Sequence, residues 1–493
     1  MQKKQLTLVI VSLLVVVLSV SLAYFTAQII GKGKDISVSS ADLKIIFTDS
    51  DGAISGSNIE PGWSDTKTFT VENNSKSEYK YNIVIKDLLN TFVTNGYLQY
   101  KITSTNGGYN MTEFKDVPKS SAPKDTILAY SVSIPVGVTQ SYTIEFKYAN
   151  DESVDQSDDM GKKLSGTLFI TEGTEDPNKT LYKQLLADKS TVLTRTDFSK
   201  VLTDNNTKTL YTSTEDSKTV YYFAGNATDN WVKFGKNASN QDLYWRIIRT
   251  NSDGGVRLLY HGTSTTATDA YIGTSAFNSS YNNIAYVSYM YGNLGSVANA
   301  RENTTDSTIK TIIDNWYKDN LNTNYGKYLS TTAVYCNDRS TSDNTSFGAL
   351  TRLNTNKTPS YDCAATEDKF TVDNSTGNGK LTYPIALMTA DEISYAGGVF
   401  VKNAETWYYK NSANGSSTGS NWWWLLSPSN WDRSSAYVFS VGGSSDPGGL
   451  NGYLVSIACG VRPAISLKSC TLYSTGNGSA SDPYTIKETT SGC

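Results

Sequence analysis

The chain has a single histidine, His261, among 493 residues. One imidazole suffices for a Ser-His-Asp arrangement, but it excludes a histidine-rich zinc site and the two-histidine helix of a metalloprotease. His261 follows an apolar stretch and precedes Gly262-Thr263-Ser264, the setting of a packed or loop residue rather than a general base. Ser427 sits in Leu426-Ser427-Pro428. It lacks the glycine-flanked elbow of a nucleophilic serine and reads as a turn residue. The run from Asp158 and Asp159 to Lys162 and Lys163 reads as a solvated charge cluster. There is no glycine-rich phosphate loop, and no set of oxygen ligands large enough for calcium. These residues argue for a protein that is not an enzyme and needs no metal or cofactor.

The five cysteines suit an oxidising compartment. Cys336 and Cys363 bracket a polar loop, and Cys470 and Cys493 bracket the C-terminal tail. Both pairs are disulfide candidates. Four cysteines allow three pairings, and free thiols are the alternative. Cys459 is left over. With 43 basic against 47 acidic residues, the net charge of −4 gives a nucleic acid no general attraction. At 38% hydrophobic, 12% aromatic and 18% charged, the chain can bury sizeable cores and is not disordered throughout.

Lys3 and Lys4 precede an uncharged apolar run from Leu6 to Ile30, longer than the roughly 20 residues a helix needs to cross a bilayer. Basic flanks stay in the cytoplasm, so the rest of the chain is exported. Residues 1–30 are either a signal peptide cut near Ala23 or an uncleaved helix holding the protein to the membrane. The stretch Ala23-Tyr24-Phe25-Thr26 resembles the end of the export signal in the TasA/camelysin family of Gram-positive surface and matrix proteins. The resemblance implies cleavage beside these residues. The Gly-Gly that often precedes them is missing here.

From about 40 to 173 the pattern is strand and turn. Phe69 and Val71 alternate with polar residues, as do Tyr81, Ile83 and Ile85, then Tyr142, Ile144, Phe146 and Tyr148. Such alternation marks half-buried strands. Asp51-Gly52, Pro61-Gly62 and Asn106-Gly107-Gly108 are turn signals between them. The expectation is an antiparallel β-sandwich. Asn58-Ile59-Glu60-Pro61-Gly62-Trp63, continuing to Thr68-Phe69-Thr70-Val71-Glu72-Asn73, resembles the early strands of TasA/camelysin jelly-roll modules, some of which polymerise by strand donation. The protease activity ascribed to camelysin is not implied, because no metal-ligand set exists here.

Residues 174–218 read as a linker with a short helix at Leu181–Asp188, and 471–493 as a C-terminal tail. Between them, 219–470 mixes strands with two helices, an α+β pattern. Asp253-Gly254 joins Tyr244–Thr250 to Val256–Tyr260 as a hairpin. Ile309, Ile312, Ile313, Trp316 and Tyr317 repeat at helical spacing after a capping Asp306 or Ser307. Thr389 and Glu392 form a capping box, and Gly397 ends that helix.

Near the C-terminus, Asn421-Trp422-Trp423-Trp424-Leu425-Leu426-Ser427-Pro428 is followed by Ala436-Tyr437-Val438-Phe439. Then comes Gly460-Val461-Arg462-Pro463-Ala464-Ile465-Ser466-Leu467. In this order the three segments resemble a bacterial family of C-type-lectin-like domains. Tyr244-Trp245-Arg246-Ile247-Ile248-Arg249 and Val256-Arg257-Leu258-Leu259-Tyr260 match the opening hairpin of that family. Trp422 and Trp424 are expected in the core, and Arg462 is expected to anchor loops through several carbonyls.

Between these frames, residues 440–460 contain no Lys, Glu, Gln, Met or Trp. Every non-framework residue there is one that an asparagine codon becomes when only its adenines change. Many members of the resembled family are variable proteins of diversity-generating retroelements, which rewrite adenine positions in such a window. The resemblance implies a variable region at about 429–460 whose ligand-binding face is Trp431, Asp432, Arg433, Ser434, Ser435, Ser440, Gly442, Gly443, Ser444, Ser445, Asp446, Gly449, Asn451, Gly452, Tyr453, Ser456, Ile457, Ala458 and Cys459. Small polar residues with a few aromatic anchors compose a paratope-like surface. An ordinary Gly/Ser-rich loop is the plainer alternative. Calcium-dependent sugar binding is not expected, since neither Ser445-Asp446-Pro447 nor Asn430-Trp431-Asp432 matches the lectin calcium motifs. Cys459 and Cys470 lack the surroundings of the catalytic pair in the related formylglycine-generating enzymes.

The expected fold is therefore multi-domain: a transmembrane or signal helix, a jelly-roll-like antiparallel β-sandwich, and an α+β C-type-lectin-like domain. The expected function is an exported, surface-displayed binding protein, adhesin-like or receptor-like. It would act at the cell surface, in the extracellular space or from a membrane anchor. Its partner would be a protein or glycan on another cell, a phage or a host. The alternative is a structural biofilm-matrix or fibre-forming surface protein.

Overall fold

The computed structural model describes residues 36–40, 43–49, 53–56 and 59–493. The apolar run expected to be a signal or anchor helix lies outside the described residues. Among those described, no helix is long and apolar enough to cross a membrane. The described residues are β-rich with few helices and divide into two compact units, one ending at Pro177 and the other running Asn178–Cys493.

The first unit has two antiparallel sheets. One runs in the order Ile36–Ser40, Leu43–Asp49, Ser64–Asn73, Thr139–Tyr148, Leu98–Ser104, Lys115–Asp116. The other runs Ala53–Gly56, Leu164–Glu172, Tyr79–Asn90, Ser120–Ile134. Side chains from both meet in one core that includes Phe69, Val71, Tyr81, Ile83, Ile144 and Leu168. The alternation read from Thr139–Tyr148 is present: Tyr142, Ile144, Phe146 and Tyr148 are all buried. Each large apolar side chain removed from water contributes roughly 1.5–3 kcal/mol.

Two sequence expectations need correction here. The strand Tyr79–Asn90 is buried on both faces over Tyr81–Ile85, because the chain after Leu164–Glu172 folds over its outer side. There the Asn82 amide donates to the Glu172 carbonyl (2.8 Å) and accepts from the amides of Ser131 and Thr174 (3.0 Å each). Asp159 is buried rather than part of a solvated cluster. Its carboxylate accepts from the Val93 amide (2.6 Å) and the Tyr148 hydroxyl (2.8 Å). Burial opposes its charge, but these bonds and those from Thr94 outweigh it and hold the carboxyl below its ordinary value.

The second unit is built on a nine-stranded sheet. Its main path is Thr191–Thr194, Thr209–Glu215, Lys218–Tyr222, Asp242–Thr250, Val256–Tyr260, Pro463–Leu467, Ile385–Leu387, with Trp231–Lys236 and Tyr484–Thr485 joined beside it. The hairpin turning at Asp253-Gly254 forms as expected, with Trp245 opposite Tyr260. Its second strand pairs with the penultimate one of the chain, Leu258 opposite Ile465. Both expected helices form. Ser307 caps Thr308–Asn320, and the reciprocal Thr389–Glu392 box caps Ala390–Ala396, which stops at Gly397 with φ +121°.

Residues 178–218 are not a linker. Thr180 caps the helix Leu181–Asp188, whose Leu181 and Leu185 enter the unit's core. Lys189 reaches the carboxylate of Asp229 at 2.6 Å with both side chains buried. Thr191–Thr194 then runs parallel to Thr209–Glu215. Five of the seven polar residues in Thr191–Thr194 and Thr209–Glu215 are threonines, whose branched side chains suit strands. Nor is 471–493 a loose tail. Tyr484 is fully buried, Tyr484–Thr485 pairs with Trp231–Lys236, and Cys470 is bonded to Cys493. The Cys336–Cys363 disulfide also forms.

Candidate binding face

A second sheet of the same unit carries the C-terminal motifs. Its order is Thr274–Ser275, Cys459–Gly460, Trp423–Trp431, Ala436–Val441, Leu450–Leu454. Trp423 and Trp424 are both buried in the core, whereas Trp422 is half-buried. The expectation of a buried Trp422 is thus corrected. The strand begins at Trp423, so Trp422 stands just before it, where its carbonyl accepts from the Gly460 amide (2.7 Å). Trp424 donates through its indole N–H to the Ser275 carbonyl at 2.8 Å and packs on Phe277. Arg462, fully buried, lies 4.8 Å over Trp423 and donates to the carbonyls of Tyr260 and Tyr408 (3.2 and 2.6 Å). It ties the opening hairpin to the loops beside the aromatic strand. Burial lowers its pKa to about 10.

Above this framework, Trp422 stacks on Tyr453 with ring centroids 5.0 Å apart and planes 23° from parallel. The indole N–H of Trp422 donates to the Ser445 hydroxyl (3.3 Å). Ser444 and Ser445 are exposed, and Asp446, Asn451 and Ser456 are partly so. The turn Ser456-Ile457-Ala458 leaves the strand of Tyr453 and returns at Cys459–Gly460 beside Trp422, with Ile457 42% exposed and Ala458 exposed. Trp422, Ser445 and Tyr453 therefore meet in one patch resting on a closed core, with the exposed Ser444 beside Ser445 in the chain and Ile457 in the turn that follows the strand of Tyr453.

The other candidates divide from it. Trp431 is half-buried and donates its amide to the Thr345 carbonyl (2.7 Å). Asp432, Arg433, Ser434 and Ser435 form the turn between Trp423–Trp431 and Ala436–Val441. Arg433 adopts φ +74°. The Asp432 carboxylate accepts from the Ser434 hydroxyl and amide, the Ser435 amide and the Tyr437 hydroxyl at 2.7–3.0 Å. Bonds from Ser434 lead in drawing its pKa down to about 2. Tyr437 sits opposite Leu454, one residue out of step with the Val438–Tyr453 pair. Neighbours along a strand point to opposite faces, so Tyr437 and Tyr453 flank different sides of the sheet. The expected single face is two.

Five candidates are buried and leave the face altogether: Ser440, Gly442, Gly443, Gly449 and Cys459. The Ser440 hydroxyl donates to the Asn451 carbonyl (3.3 Å). A Cβ on Gly442 would lie 2.0 Å from the Asp446 carbonyl oxygen, and one on Gly443 2.1 Å from that of Ser420. One on Gly449 would press on the Asp446 carboxylate at 3.0 Å. Gly452, though partly exposed, would meet the Ser429 hydroxyl at 2.5 Å. Gly442 and Gly443 are fixed by close backbone approach, which composition does not reveal, whereas the nearest atoms to Gly449 and Gly452 belong to side chains. Cys459 is an unpaired thiol whose pKa burial raises to about 12.

The residues first weighed for catalysis take structural places. His261 is fully buried edge-on to Trp231 at 4.4 Å. Burial, then Arg246 and Arg462, push its pKa well below its ordinary value, so it stays neutral. Ser427 is a buried strand residue, not a turn, and its hydroxyl accepts from the Ala390 amide (3.0 Å). Among the described residues no group of three or more His, Cys, Asp or Glu is placed to hold a metal.

Neither a protein-family model, nor a curated protein, nor a solved structure matches the chain.

Proposed function

We propose that this is an exported binding protein whose second unit is a C-type-lectin-like domain presenting a retroelement-diversified patch. The first unit serves as a TasA/camelysin-like jelly-roll stalk. The observation that carries this reading is the contrast within residues 438–458. Val438, Phe439, Val441, Leu450 and Val455 are fully buried, while Ser444, Ser445, Ile457 and Ala458 are exposed and Ser445 accepts from the indole of the Trp422–Tyr453 stack. A rigid apolar support with replaceable side chains above it changes specificity without changing the fold. The two disulfides support an oxidising, extracellular setting. The partner is a protein or glycan on another cell, a phage or a host, and recognition involves no catalysis.

The test is genomic and then biochemical. A non-coding near-copy of codons 421–466, with adenines at the codons of Ser444, Ser445, Tyr453, Ser456, Ile457 and Ala458, should lie beside a reverse transcriptase gene. Its absence removes the diversification reading. Surface display with Trp422→Ala and Tyr453→Ala should abolish adhesion to the target cells of the parent chain, and unchanged adhesion contradicts the placement of the patch.

A further inference from the structure

We propose that Lys189 and Asp229 are a covalent modification site, where the two side chains condense to an isopeptide bond inside the second unit. Lys189 Nζ lies 2.6 Å from Oδ2 of Asp229 and 3.1 Å from the Asp229 carbonyl oxygen, across 40 residues of chain. The lysine side chain is 0% exposed and that of the aspartate 7%. Lys310 is buried as deeply, but its partners Asp306 and Asp314 are 39% and 13% exposed. Around Lys189 Nζ stand the buried rings of Phe223 and Tyr484, their centroids 5.3 and 5.6 Å away. The Tyr484 hydroxyl donates to Asp188 at 2.8 Å, which fixes that ring in place.

Two charges taken out of water lose hydration that their attraction does not always return. A neutral amide removes that penalty. The carboxylate is also incompletely satisfied as an ion: Oδ2 accepts from Nζ and from the Lys208 amide (2.8 Å), while Oδ1 is buried with no partner among the described residues. In so dry a site the ammonium passes a proton to the carboxylate, which leaves a neutral amine against a carboxylic acid. Nζ then attacks Cγ. The Nζ–Cγ bond forms, one carboxyl oxygen leaves as water with two of the three ammonium protons, and the third stays on the amide nitrogen. No oxidant or co-reactant is required. The Lys208 N–H steadies the charge that develops on Oδ2, and enforced proximity lowers the remaining barrier. The bond ties Lys189, which directly follows the helix Leu181–Asp188, to the segment entering Trp231–Lys236. It closes a ring around Thr209–Glu215 and Lys218–Tyr222, and reducing agents that open the two disulfides leave it intact.

The test is peptide mass spectrometry on the full exported chain, denatured, reduced and digested with trypsin. Acylated Lys189 is no longer a tryptic site, so residues 184–195 should stay in one piece and be linked to 219–233. The linked species should weigh one water less than its two parts, and fragmentation should place the link at Lys189 and Asp229. Lys189→Arg keeps the ion pair but cannot form this amide, and Asp229→Ala removes the acyl partner. Both variants should restore cleavage after position 189 and release 219–233 unlinked. The parent digest needs no variant to fold and decides the matter by itself. Cleavage after Lys189 with 219–233 free in the parent overturns the proposal and leaves an ordinary buried ion pair. A link that persists in Asp229→Ala overturns it as well.

Discussion

The indole of Trp422 and the ring of Tyr453 lie 5.0 Å apart and nearly parallel, although 30 residues separate them and a buried strand runs between their backbones. Trp424, two residues further along the chain, approaches the same tyrosine from within the core, with ring centroids 6.2 Å apart. The stack thus joins a solvent-facing surface to a fixed support. Trp424→Ala should cost about 3–5 kcal/mol in unfolding free energy, since it empties a core position. Trp422→Ala should cost only about 1 kcal/mol, the value of a surface aromatic pair. Denaturant titration of the two variants checks this, and equal losses contradict the assignment of Trp422 to the surface.

Tolerance to substitution should follow geometry rather than composition. Replacements at Ser444, Ser445 and Ala458 should stay within about 0.5 kcal/mol of the parent. Gly442→Ala and Gly443→Ala should each destabilise by roughly 1–3 kcal/mol, because the new Cβ meets a backbone carbonyl oxygen at 2.0 or 2.1 Å. A protease-resistance screen of a library over residues 440–460 reads all these positions at once.

Much of this architecture is legible in the sequence, and the failures have physical causes. Period-two alternation locates Thr139–Tyr148, and the Ser307 and Thr389 caps locate both helices. Asp253-Gly254 marks the hairpin. Which tryptophan faces solvent is not legible. The strand starts between Trp422 and Trp423, and irregular pairing between Trp424 and Asn430 shifts its register. Glycines pressed against carbonyls look the same in sequence as glycines in an open loop. Threonine-rich strands at 191–215 look like a linker.

Acid should weaken the second unit through Glu215. Burial alone would raise its pKa, but Arg249 and Arg257 prevail and hold it at about 2, against an ordinary value of 4.5. A depressed folded-state pKa contributes stability that is present above the unfolded value and lost as the pH falls through the folded one. Thermal midpoints should therefore drop between pH 4.5 and about 2. Glu215→Gln should lower the midpoint at pH 7 and flatten that acid limb. An unchanged limb would assign the acid sensitivity to other carboxylates.

The cysteines should separate cleanly by chemistry. Cys459, buried and with its thiol pKa raised to about 12, should resist alkylation in the native state and react only after non-reducing denaturation. Cys493→Ser should cost about 3 kcal/mol by reopening the loop that Cys470 closes. Intact mass after alkylation counts the thiols, and more than one label before reduction contradicts the pairing.

The most direct measurement is to sequence this locus in many sister isolates of one lineage. Amino-acid differences should concentrate at Ser444, Ser445, Tyr453, Ser456, Ile457 and Ala458, through codon changes at former adenines. The codons for Ser440, Gly442, Gly443, Gly449 and Cys459 should hold constant. Differences spread evenly over buried and exposed positions, or a window identical in every isolate, would contradict a support that carries a freely exchangeable recognition surface.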